Sequence, residues 1–207
     1  IKDEDKALQG REFEDAHQNE QITIEYPDGT VARENFQNGL LIKGTLKRPD
    51  GTIEKGIFRN GLLNDKGIIQ YPDGTIAEGY FQNGLFIKGK VMRSDGSVGE
   101  GAVEKDKLKG KGKIKYANGI VVEGIFENGL LIKGQATHLD GVVEEGEFQN
   151  GLFIKGNMKH PDGSIEEGEF KNGRLDGQGK IEYSNGTVKE GEFEMGVFIK
   201  GKVIRPN

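Results

Sequence analysis

The sequence predicts an all-β fold: an elongated, single-layer antiparallel meander of tandem β-hairpins, about 18 strands in all, curved and twisted along its length. Three observations predict it. An Asp-Gly or Asn-Gly dipeptide recurs at Gly29, Gly51, Gly74, Gly96, Gly119, Gly141, Gly163 and Gly186, which sets a unit of 22 or 23 residues. A second Asn-Gly follows ten residues later at Gly39, Gly61, Gly84, Gly129, Gly151 and Gly173. Glycine makes up 34 of 207 residues while hydrophobic residues reach 33%, too few for a thick two-layer core but enough for a thin one spread along an array.

Asn-Gly between alternating strands signals a hairpin because a type I′ turn needs positive φ at both central residues. Each unit therefore reads turn, strand, turn, strand. Residues 5–27 form a degenerate first repeat, in which Phe13 takes the aromatic slot and Asp15-Ala16 replaces Asn-Gly. Residues 28–207 hold eight repeats, and the chain reads as one continuous array over 1–207. Its ends look cut. Ile1 replaces an initiating Met, and Arg205-Pro206-Asn207 stops where earlier copies continue with glycine.

Loop length divides the units into two hairpin types. Five close with a short loop such as Asn38-Gly39-Leu40-Leu41-Ile42-Lys43-Gly44, and three with a loop one residue longer, such as Asn60 to Gly67. After long loops the residue two before the next Asp/Asn-Gly is Tyr71, Tyr116 or Tyr183; after short loops it is Arg48, Arg93, His138, His160 or Arg205. With each Asp/Asn-Gly as a two-residue turn, Lys47 faces Glu54, Lys159 faces Glu166 and Glu182 faces Lys189. Such cross-strand charge pairs contribute roughly 0.2–1 kcal/mol each.

An aromatic column supplies the core. Phe36, Phe58, Phe81, Phe126, Phe148, Phe170 and Phe193 share one slot, with Val103 in the remaining copy. Two residues earlier, on the same face by strand alternation, stand Gly56, Gly79, Gly101, Gly124, Gly146, Gly168 and Gly191; Glu34 breaks this column. Glycine beside each ring lets the neighbouring ring lie over bare backbone, so these aromatics form a structural spine.

These units, such as Tyr183-Ser-Asn-Gly-Thr-Val-Lys-Glu-Gly-Glu-Phe193 and Gly168-Glu-Phe-Lys-Asn-Gly-Arg-Leu-Asp-Gly-Gln-Gly179, resemble the MORN repeat (membrane occupation and recognition nexus). The resemblance implies rods of stacked hairpins that serve as scaffolds or interaction modules, sometimes with phospholipid contact. The chain departs from the family where a groove aromatic is usual. That column reads Ala32, Glu54, Ala77, Gly99, Val122, Glu144, Glu166 and Lys189.

Composition narrows the function. A net charge of −5 disfavours nucleic acid as a partner. The absence of cysteine fits a reducing, cytoplasmic setting and excludes thiolate metal sites. Each Asp-Gly turn offers one carboxylate, which turn chemistry explains without a metal. Nothing resembles a nucleophile–base set, so no catalytic, cofactor or metal residue is assigned and the chain reads as non-enzymatic. A Glu ladder (Glu78, Glu100, Glu123, Glu145, Glu167, Glu190) and a Lys ladder (Lys43, Lys66, Lys88, Lys111, Lys133, Lys155, Lys200) read as a solvated, balanced surface in preference to a lipid track.

The candidate partner-binding residues come from the apolar triplets that follow the second turn. They are Leu41 and Ile42, Phe86 and Ile87, Leu131 and Ile132, Phe153 and Ile154, and Phe198 and Ile199. Three consecutive apolar residues cannot all face one side of a strand. They either fold over the sheet edge to seal the spine or form a stripe that docks a partner. The expected function is a scaffold that holds a protein segment, helical or extended, in a cytoskeletal or ciliary setting. Alternatives are a phosphoinositide-binding module and an accessory region of a larger enzyme such as a lipid kinase or methyltransferase.

Overall fold

Two kinds of turn repeat along the chain, and together they lay out the whole sheet. The computed structural model describes residues 22–206, so residues 5–21 of the first repeat lie outside the described residues. Seventeen strands follow in order: β1 (Thr23–Glu25), β2 (Val31–Gln37), β3 (Leu40–Lys47), β4 (Ile53–Arg59), β5 (Leu62–Gln70), β6 (Ile76–Gln82), β7 (Leu85–Met92), β8 (Val98–Glu104) and β9 (Lys107–Lys115). The rest are β10 (Val121–Glu127), β11 (Leu130–Thr137), β12 (Val143–Gln149), β13 (Leu152–Lys159), β14 (Ile165–Lys171), β15 (Arg174–Glu182), β16 (Val188–Glu194) and β17 (Val197–Ile204). Each pairs antiparallel with its neighbours in sequence, giving one open, all-β meander.

The second turn of each unit is type I′, as its Asn-Gly predicts. Asn38 and Gly39 have φ of 49° and 75°, and the departing pairs Lys105-Asp106 and Met195-Gly196 adopt the same geometry. The first turn is different, which corrects the predicted register. Arg48 N donates to Thr52 O (2.8 Å) and Gly51 N donates to Arg48 O (3.0 Å), enclosing three residues instead of two. Gly51 alone has positive φ (91°), the signature of a type I turn closed by a glycine bulge. Asp50 Oδ1 accepts from Thr52 N at 2.8 Å, so the aspartate side chain ties the turn.

That extra residue shifts every predicted pair by one. Lys47 faces Ile53 and Leu46 faces Glu54; Lys159 faces Ile165, and Glu182 faces Val188. A one-residue slip exchanges sheet faces. The cross-strand Lys/Glu pairs lie instead on the outer face, where Glu78, Lys90, Glu100, Lys113 and Glu123 stand in successive strands.

The inner face holds the core. A row of directly paired glycines crosses the sheet from Gly44 in β3 to Gly201 in β17, with Glu34 in the corresponding place in β2. At Gly124 an added Cβ would lie 2.1 Å from Lys133 O, so the backbone approach there admits only glycine. Beside the row, each spine aromatic meets the second residue of the following strand: Phe36 and Leu41, Phe58 and Leu63, Phe81 and Phe86, Phe148 and Phe153, Phe193 and Phe198. Phe81 and Phe86 stand edge to face at 5.3 Å between centroids.

The two hairpin types differ in register. In the short β2–β3 hairpin one residue, Ile42, is left unpaired between Leu41 and Lys43. In the long β4–β5 hairpin two residues, Asp65 and Lys66, are left unpaired. The longer loop bends back to the next turn. Gly84 N donates to Leu63 O (2.9 Å), and Gly196 N to Leu175 O (2.8 Å). Asn64 Oδ1 and Asp176 Oδ2 accept from Asn83 N and Met195 N.

Candidate partner-binding surfaces

The apolar triplets are divided by the turn that precedes them. A two-residue turn sets its second following residue against the spine aromatic, so Leu41, Leu131 and Phe153 are buried and Phe86 and Phe198 half-buried. Ile42, Ile87, Ile132 and Ile199 remain exposed, and Ile154 is half-buried. The first members project furthest: Leu85 is 69% exposed, Leu152 65% and Val197 61%. Leu40, Leu62 and Leu130 join them along the ribbon edge that carries the type I′ turns. These first members belong to the triplets that the sequence offers as a stripe, but they are absent from the candidate residues because the triplet was not split by the two-residue turn rule. The same rule places Leu63 and Leu175, both fully buried, in the spine.

The spine itself is uneven. Phe58, Phe81, Phe126, Phe148, Phe170 and Phe193 are buried, while Phe36, near the start of the sheet, is half-buried. Val103 faces Leu108, so neither member of this pair carries a ring, and both stay half-buried. The core accordingly falls into two clusters, one built on Phe58 and Phe81, the other on Phe126 to Phe193.

Next to the spine runs the column that lacks the groove aromatic. Its residues are matched by the side chain six positions earlier. Arg48 Nε donates to Glu54 Oε1 at 2.5 Å; His138 Nε2 lies 3.1 Å from Glu144 Oε2 and His160 Nε2 3.0 Å from Glu166 Oε1. Where that earlier residue is tyrosine the partner is Ala32, Ala77, Val122 or Lys189, and the Lys189 ammonium sits over the Tyr183 ring at 5.3 Å. The choice between Tyr and Arg/His, linked to loop length in the sequence, is thus also a choice of contact partner.

The outer face changes character along the chain. From Lys66 to Lys133 the Lys ladder alternates with Tyr80, Ala102 and Ile125, and both Lys66 and Lys88 approach the Tyr80 ring. Beyond Lys133 it alternates with Glu147 and Glu169. Residues 28–117 contain 16 Lys/Arg against 11 Asp/Glu, and residues 118–206 contain 10 against 15, so the two halves carry +5 and −5. Among the described residues no group of three or more His, Asp or Glu could hold a metal, and no helix is long and apolar enough to cross a membrane.

The family described as MORN repeat matches residues 55–76, 100–121 and 167–188. No curated protein sequence matches the chain. Among solved structures, the TCP10 domain of Danio rerio CPAP is 16% identical, with 90% of this chain and 79% of that one covered and a TM-score of 0.33. The G-box domain of the microcephaly protein CPAP gives 16% identity, 91% and 100% coverage and a TM-score of 0.39. The TCP domain of Drosophila melanogaster SAS-4 (dCPAP), solved with a proline-rich motif of Ana2 (dSTIL), gives 14% identity, 88% and 84% coverage and a TM-score of 0.29.

Proposed function

We propose that this chain, three stretches of which match the MORN repeat, is a non-enzymatic scaffold that holds a partner polypeptide along its sheet. One observation carries the reading: the row of exposed apolar residues on the type I′ edge, led by Leu85, Leu152 and Val197 and flanked by the bulge isoleucines Ile42, Ile87, Ile132 and Ile199. The spine is built without them. An apolar row that contributes nothing to the core and repeats with the hairpins suits a partner that runs along the array, as extended repeat surfaces do. A cytoplasmic, cytoskeleton- or cilium-associated setting belongs to the same proposal.

Photo-crosslinking residues at positions 87, 132 and 199, with a control at Lys55 on the outer face, tests it in extracts of the source cells. One partner protein crosslinked from the edge and not from position 55 is the expected result. Equal labelling from all four positions, or none, rejects the scaffold role for this edge.

A second reading rests on one row of the outer face of the basic half, where Lys66 and Lys88 flank Tyr80 and the row continues to Ala102 without an acidic residue, the Glu78–Lys90–Glu100 row standing beside it. Anionic lipid would contact this half and not the acidic one. Vesicles with and without phosphoinositide distinguish it: salt-sensitive binding lost on reversing Lys66, Lys88 and Lys111 to Glu would favour lipid over protein.

A further inference from the structure

The repeat that lacks its ring also lacks a carboxylate, and both losses open on one place. At the break in the spine, Phe86, Val91, Val103, Leu108 and Ile114 surround a pocket of about 180 Å³ on the inner face. A dry apolar cavity of roughly 150 Å³ is large enough to bind benzene. This pocket can therefore hold a phenyl or isobutyl group of the size that Phe81 or Phe126 supplies elsewhere in the column.

Arg93 stands on the wall of the same pocket. In the equivalent contacts Arg48, His138 and His160 each meet a glutamate six residues on. Arg93 meets Gly99, where an added Cβ would still lie 4.0 Å from Nη1. Among the described residues its guanidinium has no ion pair and no side-chain hydrogen bond. The acids around it are Asp95, which is tied to Ser97 N and feels Arg93 only through space, and Asp106 on the pocket rim.

We propose that this pocket is a binding site for a partner segment that presents a Phe- or Leu-sized side chain next to an Asp or Glu, the ring filling the gap in the spine and the carboxylate pairing with Arg93. The proposal deepens the scaffold reading and rests on it for the existence of a polypeptide partner. Charge favours this occupant twice. The guanidinium offers a two-pronged donor set that matches a carboxylate, and the half of the sheet containing it carries +5, which draws acidic segments at long range.

The test is methyl NMR of the whole chain titrated with the capped peptide Ac-Ala-Glu-Phe-Ala-NH2 and its Gln and Leu analogues. Shifts are expected at the methyls of Val91, Val103, Leu108 and Ile114. Arg93→Gln is expected to weaken the Glu peptide tenfold or more and to leave the Gln peptide unchanged. Val103→Phe, which restores the missing ring, is expected to abolish binding of every peptide while raising the melting temperature. Shifts confined to other residues, equal binding of the Glu and Gln peptides, or undiminished binding to Val103→Phe would overturn the proposal. Edge crosslinking of a partner together with a silent pocket rejects this site alone. Peptide binding here with no edge crosslinking rejects the edge scaffold and leaves the pocket standing.

Discussion

The hairpins β8–β9 and β14–β15 share the long-loop plan, the paired glycines and the type I′ turn, yet they close differently. In β14–β15, Phe170 and Leu175 are buried against each other and Asp176 accepts from the next turn. In β8–β9, Val103 and Leu108 are half-buried, and Lys109 occupies the place of Asp176 and pairs with Glu104 instead. The backbone bond from the next turn survives in both, Gly129 N to Leu108 O at 3.0 Å matching Gly196 N to Leu175 O at 2.8 Å. The comparison teaches that glycines and turns set the path of the ribbon, while the spine side chain decides whether its inner face is sealed or open.

Emptying the sealed hairpin is the sharpest way to break the comparison. Phe170→Ala is expected to cost roughly 4 kcal/mol, the usual range for a buried aromatic, and Val103→Ala about 1 kcal/mol because its slot is already open. Urea unfolding of the two variants checks this, and equal losses would show that the two hairpins are packed alike. The glycine row gives the next effect. At Gly168 an added Cβ falls 2.8 Å from Gln178 O with φ at 149°, so Gly168→Ala is expected to lose about 3 kcal/mol. Gly112 has an ordinary φ and its added Cβ would lie 2.9 Å from Glu100 O, so Gly112→Ala is expected to lose less, about 1–2 kcal/mol.

Lys109→Asn sharpens the comparison in the other direction. It restores the acceptor that Asn64 and Asp176 provide to the next turn and is expected to gain about 1 kcal/mol. Slower amide exchange at Asn128 would report the new bond.

The smallest effect depends on pH. Hydrogen bonds from Thr30, Thr52, Ser97 and Ser164 hold the carboxyls of Asp28, Asp50, Asp95 and Asp162 below the ordinary aspartate range. A lowered native pKa adds stability above the unfolded value near 4, and that stability is lost as pH falls through the native value. Replacing all four by Asn, the residue found at Asn118 and Asn185, is expected to flatten the melting-temperature curve below about pH 4. An unchanged acid limb would assign it to other carboxylates.

Much of this was legible without coordinates because period and turn chemistry are local. The 22–23-residue spacing, the type I′ geometry of Asn-Gly, the glycine column and the two loop lengths all follow from residue types at fixed offsets. The register of the first turn was not legible. The first turn closes a three-residue loop whether it carries Asp-Gly or Asn-Gly, as at Asn118-Gly119 and Asn185-Gly186, its Asp or Asn side chain tying the backbone two residues on, whereas the Asn-Gly of the second turn closes a two-residue loop. The triplets were half legible: three apolar residues in a row announce a surface problem, but the two-residue turn before them decides that the second turns inward, and the bulge that follows leaves Ile42 and its equivalents outside.

Sequence by itself determined the array, its period and its column of aromatics, because hairpin turns and strand alternation act over a few residues. Tertiary structure decided which face each charge occupies, how Arg48 finds Glu54 while Arg93 finds none, and that a missing ring and a missing carboxylate share one pocket. Those outcomes depend on register between strands and on contacts across whole repeats, where one added turn residue moves every side chain to the opposite face.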